Sequence, residues 1–466
     1  MTEGSWRHLL STDKIGRLAL ICLGVWLNAA DSLVTSTIMP SIARDIGGYA
    51  YFAWPVAGYA LGAIVGGAIA GWWSHVYGLR AAQISSALLY AAGCVASALA
   101  SSMGVFIAGR LLQGLGAGMI VGACYFAINA IFPAELWRRV LAALSGVWGV
   151  ATLLGPLLGG LFAHGHAWRL LFWFFTAQSI AFAAAALLLV PRSAPRGTDR
   201  RIPIRTLILL VAGIACILRA DVMTVLAYAA PLTIAGALLL FGAFRLDRVS
   251  PARLFPPQTA DLRSASGLGY AAIFSFNLAS IGFTVYGAAI MQTLYGLTPL
   301  EAGYVIGVEA MSWTMSALIV SELPQSHDRF CIRLGAALIT ASVAALIFTL
   351  PSGSLRLVIA NAAMLGTGFG TCWAYFSKHI LSNLPESERS LGSSAIPVAQ
   401  LVGSAVGSAV SGMVANAFGA ASGFDHVNVV SIGSWLFIVT VPIAMFGLIC
   451  SWRVMQVELA PVLAEA

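Results

Sequence analysis

The sequence predicts an all-α polytopic membrane protein of fourteen transmembrane helices, organised as two six-helix bundles with an inserted two-helix hairpin. Three observations predict it. First, 59% of the 466 residues are hydrophobic and only 9% are Asp, Glu, Lys or Arg, against about 25% charged residues in an ordinary soluble domain. Second, the apolar residues form runs of roughly 18–30, long enough to cross a hydrocarbon core as helix. Third, Lys and Arg gather in alternate gaps between the runs. The 25 basic and 18 acidic residues cannot cover a soluble protein of 48.7 kDa. That excludes a soluble globular enzyme, a disordered chain and a nucleic-acid binder of the basic-patch type. A transmembrane barrel would instead show segments of about ten residues with alternating polarity.

The spans follow in order. The first, roughly 16–40, is too long for a signal-peptide core and carries Asp31, so it reads as a retained span. Five more complete the first bundle, at roughly 49–73, 80–101, 104–130, 137–163 and 168–190. A connector at 191–205 holds five arginines. The hairpin follows at roughly 204–219, which is short, and 222–244, which has no Asp, Glu, Lys, Arg or His. After a second charged connector at 245–266, six spans run at roughly 267–293, 300–321, 333–351, 354–384, 390–418 and 430–453. The predicted domains are therefore 1–191, 192–265 and 266–466.

Counting loop charges orients the chain. One side collects Arg7, Lys14, Arg17, Arg80, Arg138, Arg139, both arginine-rich connectors, Arg329, Arg333, Lys378, Arg389 and Arg453; the other has only Arg44, Arg169, Arg219 and Arg356. The positive-inside rule then puts both termini in the cytoplasm, as an even number of spans requires. The seven cysteines contain no CxxC and read as small packing residues. No metal motif, nucleotide loop or nucleophile–base set is present, so the chain reads as no enzyme, with no cofactor, driven by a gradient and not by ATP.

The two six-span blocks repeat. Gly114, Gly116, Gly118 and Pro133 recur 252 residues later as Gly366, Gly368, Gly370 and Pro385. The same offset carries Gly155 onto Gly407 and Gly160 onto Gly412. Two parallel repeats enclosing a path is the architecture of an alternating-access transporter.

Four segments carry a closer likeness. Asp31 is followed nine residues on by Pro40 in the first span. Gly109-Arg110-Leu-Leu-Gln113-Gly114 opens the glycine run of the fourth. Gly155-Pro156-Leu-Leu-Gly159-Gly160, preceded by Gly146 and Gly149, lies in the fifth. Gly71-Trp-Trp-Ser-His75-Val-Tyr-Gly78-Leu-Arg80 joins the second span to the third. Together they resemble the major facilitator superfamily, specifically its fourteen-span drug:proton antiporters. The resemblance implies the major facilitator fold, an antiporter motif at Gly146, Gly149, Gly155, Pro156, Gly159 and Gly160, and a cytoplasmic gating loop at Gly71, His75, Gly78 and Arg80. The sequence departs from the family there: His75 stands where the family has Asp, and Val76 where it has Arg. The second-half loop, with Asp328, Arg329 and Arg333, keeps the charges.

Residue chemistry names the candidate sites. Asp31 lies about nine residues, or ~13 Å, inside its helix end, at a depth similar to that of Arg110. An ionised carboxylate in hydrocarbon must be paired, protonated or turned inward. The pair serves either as the proton-coupling unit or as a structural tie between two helices. Glu309, the one acid deep in the second half, is a second proton or cation site, or else a protonated packing group. Gln113, Asn277, Tyr286, Gln292, Trp313 and Tyr375 are the substrate-binding candidates, drawn from a wider aromatic and amide set that includes Tyr59, Trp148, Phe276 and Trp373. Gly403 and Gly407 are expected to face the Gly155 region; neutral His75 either accepts a hydrogen bond from Arg80 or a helix amide, or is a solvated loop histidine with no gating role. His164 and His166 read as interfacial. The expected function is proton-coupled export of amphipathic organic compounds from the cell (inner) membrane, with a small organic substrate, protons and the bilayer as partners, no nucleic acid, and a monomeric state. The alternatives are a dedicated exporter of one metabolite or siderophore, and a transport-dead receptor or scaffold.

Overall fold

The computed structural model describes residues 12–163, 167–192, 201–223 and 225–457. His164 and His166 lie outside them, as do Arg7, Arg196 and Arg200. Among the described residues there is no β-strand, and fourteen long α-helices follow one another: α1 Thr12–Ile46, α2 Trp54–Tyr77, α3 Leu79–Ala98, α4 Met103–Ile131, α5 Ala134–Phe162, α6 Trp168–Leu189, α7 Ile204–Asp221, α8 Leu226–Val249, α9 Ala265–Tyr295, α10 Pro299–Ser321, α11 Asp328–Thr349, α12 Leu355–Ser382, α13 Glu386–Ala417 and α14 His426–Val457. Each predicted span is one helix. Thirteen are long and apolar enough to cross a membrane. The other, α7, puts Arg205, Arg219 and Asp221 within only 18 residues.

The main difference from expectation is length. Pro40 does not end the first span, and α1 runs on to Ile46. Pro156, Pro231, Pro397 and Pro442 likewise sit inside helices. In a membrane-spanning helix, neighbouring helices re-satisfy the backbone groups that proline frees. Sharp turns need glycine: α2 and α3 are separated by Gly78 alone, at φ 83°, which a side chain would strain.

The chain divides into two compact units: Met1–Gly47 with Gly58–Ile202, and Gly48–Ala57 with Pro203–Ala466. In the first, α4 packs on α3, α3 on α6, and α1 on α5, α4 and α6. In the second, α9 packs on α14 and α13, and α12 on α10 and α11, while α7 pairs with α8 and also lies on α13.

The repeated glycines explain why the units share a plan. A methyl on Gly114 would overlap the Tyr59 carbonyl of α2, and one on Gly118 the Ala63 carbonyl; one on Gly116 would overlap the Tyr90 backbone of α3. In the second unit Gly366 and Gly370 meet the Glu309 and Trp313 carbonyls of α10, and Gly368 meets Gly335 and Ile339 of α11. Glycines at alternate positions thus let one helix approach two neighbours at backbone distance.

The long connector is tied down by one acid. Asp247 accepts the Leu254 and Phe255 N–H groups (both 2.8 Å) and the Thr206 hydroxyl (3.0 Å), anchoring 250–255 to the start of α7.

Candidate functional site

Four helices of the first unit converge on Asp31. Arg110 and Gln113 are one turn apart on α4, so both side chains leave the same face. The approach of α4 to α2 and α3, which Gly114 and Gly116 permit, brings that face against Tyr59, Tyr90 and α1. Arg110 Nη1 donates to both Asp31 oxygens (2.8 and 2.9 Å) and to Gln113 Oε1 (2.9 Å). Gln113 Nε2 donates to the Tyr90 hydroxyl at 3.3 Å, and that hydroxyl donates to the Leu27 carbonyl. The Thr35 hydroxyl reaches Asp31 Oδ1 at 3.3 Å. Arg110 Cζ lies 4.5 Å from the Tyr59 ring centroid, and the Tyr59 hydroxyl donates to Asn28 Oδ1 at 2.8 Å.

Asp31 and Arg110 are each 1% exposed. At that burial neither charge is tolerable alone, and each is the other's counter-ion. Chemically, the arrangement is a carboxylate that either a guanidinium or a proton can neutralise. Arg110 also has contacts that do not involve Asp31: Gln113 Oε1 and the face of the Tyr59 ring.

Among the described residues, the second unit has no such pair. At the same offset Asp31 maps to Phe283 (31 + 252) and Arg110 to Ala362 (110 + 252). Glu309 takes the place on α10 that Tyr59 has on α2, as their equivalent glycine contacts show. It is half-buried and forms no hydrogen bond or ion pair among the described residues. One turn along α10, Trp313 stacks on Phe369 (4.8 Å, 7°) and leans on Trp373 (5.4 Å).

The six substrate candidates do not form one lining. Gln113 belongs to the ion-pair network. The Tyr375 hydroxyl donates to the Val320 carbonyl (2.6 Å) and the Asn277 amide to the Ile273 carbonyl (2.8 Å), both backbone contacts. Tyr286 is fully buried, stacked on Phe52. Gln292 Nε2 is buried without a partner. Trp313 is half-buried, joined to the buried Phe369 and the half-buried Trp373.

The motif glycines divide in two. Gly155 and Gly159 lie against Leu33 and Thr37 of α1, whereas Gly146 and Gly149 have nothing within 4 Å of a would-be side chain. Gly403 and Gly407, expected to face the Gly155 region, instead pack on Phe274 and Leu278 of α9. Repeat symmetry is the reason: α13 uses its glycines against α9 as α5 uses its own against α1.

In the candidate gating loops, His75 packs edge-on to Phe126 at 5.0 Å, not on Arg80, whose Nε is buried without a partner. Asp328 pairs with Lys378 of α12 (2.6 Å), while Arg329 is exposed and Arg333 lies over the Trp452 ring at 5.1 Å. Sequence reasoning missed Tyr90, Asn28 and Thr35 as members of the Asp31 network, and Lys378 as the partner of Asp328. For Lys378 the signal was present: a lysine near the end of the span that faces the acid-bearing loop.

Comparison with known proteins agrees with this geometry. The family model for the Major Facilitator Superfamily matches residues 21–396. The "Probable multidrug-efflux transporter Rv1634" of Mycobacterium tuberculosis is 30% identical over 430 residues, covering 89% of this chain and 90% of that protein. An "Acurin A biosynthesis cluster MFS-type transporter" of Aspergillus aculeatus is 25% identical over 421 residues, covering 86% and 75%. Among solved structures, a bacterial homologue of the human lysosomal transporter Spinster, inward-facing and unoccupied, superposes with a TM-score of 0.70 at 14% identity, over 96% of this chain and 98% of that one.

Proposed function

This chain belongs to the Major Facilitator Superfamily, and from that premise we propose that it is a proton-coupled multidrug exporter working by alternating access. It is a multi-pass membrane protein. The observation that carries the reading is the Asp31–Arg110–Gln113 network: a fully buried, titratable ion pair where a structural tie would need no charge. Charged residues at mid-bilayer cost about 2.5–3.5 kcal/mol each even on the lenient scale, which argues against a scaffold or receptor. In one state Arg110 neutralises Asp31; in the other a proton does, and Arg110 rests on Gln113 and Tyr59. Export of a compound is thereby tied to proton entry. The similarity to a protein named as a multidrug-efflux transporter supports a broad substrate range.

Glu309 and the Trp313–Phe369–Trp373 group supply what an amphipathic cation needs: a carboxylate and flat apolar faces. The Lys and Arg asymmetry supports insertion in the inner membrane with both termini cytoplasmic. The reading includes no catalysis, a monomer, and 192–265 as a module inserted between the transport bundles.

Reconstitution tests it. With an imposed pH gradient, adding amphipathic cations to proteoliposomes should release protons and move the compound. Asp31→Asn should abolish gradient-driven transport while leaving insertion intact and passive exchange of substrate measurable. Undiminished pumping by that variant would refute the assignment. The dedicated-exporter reading has its own support in the fungal relative named for one biosynthesis cluster; transport of a single compound from a broad panel would favour it.

A further inference from the structure

The second unit holds a buried acid that the transport reading does not use. Asp221 ends α7 and is 1% exposed. Asn416, near the end of α13, donates through Nδ2 to Asp221 Oδ1 (2.8 Å), to the Asp221 carbonyl (3.1 Å) and to the Ala50 carbonyl (2.8 Å). One carboxamide therefore ties together α7, α13 and the Gly48–Ala57 segment, all of them in the second unit. Two atoms of the pair are orphaned: Asp221 Oδ2 and Asn416 Oδ1 are both buried and neither has a partner. Among the described residues, no charged group pairs with the acid. α13 presents Asn416; the Gly48–Ala57 segment presents Trp54, whose buried indole N–H approaches the Asp221 carboxyl without reaching hydrogen-bond geometry; α9 presents Tyr286. On α8, Tyr228 is exposed and the only ionisable side chain before Arg245. On α7 itself Arg219 is exposed and forms no ion pair among the described residues. Asp425, in the nearby turn, is engaged by the Val427 and Asn428 N–H groups. Phe52, Tyr286 and Phe424 surround the same corner with rings.

We propose that Asp221 is a second proton site, separate from Asp31, and that its proton latches the Gly48–Ala57 segment to α7 and α13. The two orphaned atoms are complementary. A proton on Oδ2 is the donor that Asn416 Oδ1 lacks, and the existing Nδ2–H···Oδ1 bond supplies the other half of a cyclic acid–amide pair. An unpaired carboxylate buried here would carry the full desolvation penalty with no counter-charge. Gly412 completes the site: a side chain there would collide with the Asp221 carboxyl. Gly412 is the repeat partner of Gly160, so in the second repeat the missing side chain makes room for an acid from the inserted hairpin. The proton leaves to water when the Gly48–Ala57 segment lifts and Oδ2 is hydrated. The latch is thus closed at low pH and opens as pH rises. This inference does not depend on the exported compound.

The test uses the full-length protein reconstituted in lipid. Infrared spectra should contain a protonated-carboxyl band that is missing from the Asp221→Asn protein and disappears as pH rises. Amide hydrogen exchange across 49–57, corrected for intrinsic rates, should lose protection by up to about tenfold per pH unit above the titration point. Asp221→Asn, which keeps a donor and an acceptor toward Asn416, should hold that protection independent of pH; Asp221→Ala should lose it at every pH. The pH series on the unsubstituted protein is decisive even if a variant fails to fold. Protection of 49–57 that does not change with pH overturns the proposal. So does loss of the band on adding sodium at fixed pH, which would make this a metal-ion site.

Discussion

Replacing both members of the Asp31–Arg110 pair should do less harm to stability than the two single replacements added together. Arg110→Met leaves the Asp31 carboxylate buried with only the 3.3 Å contact from Thr35. Breaking a buried pair from one side costs about 3–5 kcal/mol, because the survivor is an uncompensated charge. Asp31→Asn strands the guanidinium instead, but Gln113 Oε1 and the Tyr59 ring still hold it. A desolvated cation–π contact contributes about 2 kcal/mol or more, so this variant belongs at the lower end of that range. Independent effects would sum to roughly 6–8 kcal/mol. The double variant carries no buried charge, and replacing a whole buried ion pair by uncharged groups of similar volume is often close to neutral. Coupling should therefore exceed about 2 kcal/mol, within the span measured for contacting residues. Equilibrium unfolding in mixed micelles gives the three stability changes, and proton-driven transport should be lost in all three proteins. Stability losses that add to within about 0.5 kcal/mol would show two independent residues and remove the physical basis for coupling through this pair.

Gly366→Ala should destabilise the second unit by about 1–3 kcal/mol through overpacking, since the methyl runs into the Glu309 carbonyl; Gly146→Ala, which meets nothing within 4 Å, should leave unfolding unchanged. His75→Asp should supply the acid that Arg80 lacks and close the cytoplasmic side, so labelling of a cysteine at Ser145 should slow; an unchanged rate would mean that the loop departure does not affect gating. Alanine at Tyr228, Ile234 and Leu238, exposed on α8, should leave transport intact, and loss of coupling at normal protein level would place the hairpin in the transport path.

The sequence alone determined the class of molecule and its element order. Hydrophobic runs must become helices in hydrocarbon because their backbone groups have no other partner, and that local rule needs no knowledge of neighbours. The 252-residue offset was legible for a similar reason: backbone approach between helices requires glycine, and glycine is visible in a sequence. Asp31 and Arg110 stood out because a charge in an apolar run demands an explanation. Partnership was another matter. Tyr90 and Asn28 look like any other residues of their spans, and only the packing of α3 and α1 on α4 puts them in the Asp31 network. The fold likewise paired Asp328 with Lys378, 50 residues away, set His75 on Phe126, and turned Gly403 and Gly407 toward α9. Asp221 shows the limit most clearly. In the sequence it ends a short helix beside an arginine, where an acid would be solvated. It is buried because α7 lies on α13 at the glycine that leaves room for its carboxyl, and such long-range contacts belong to the tertiary structure, not to local pattern.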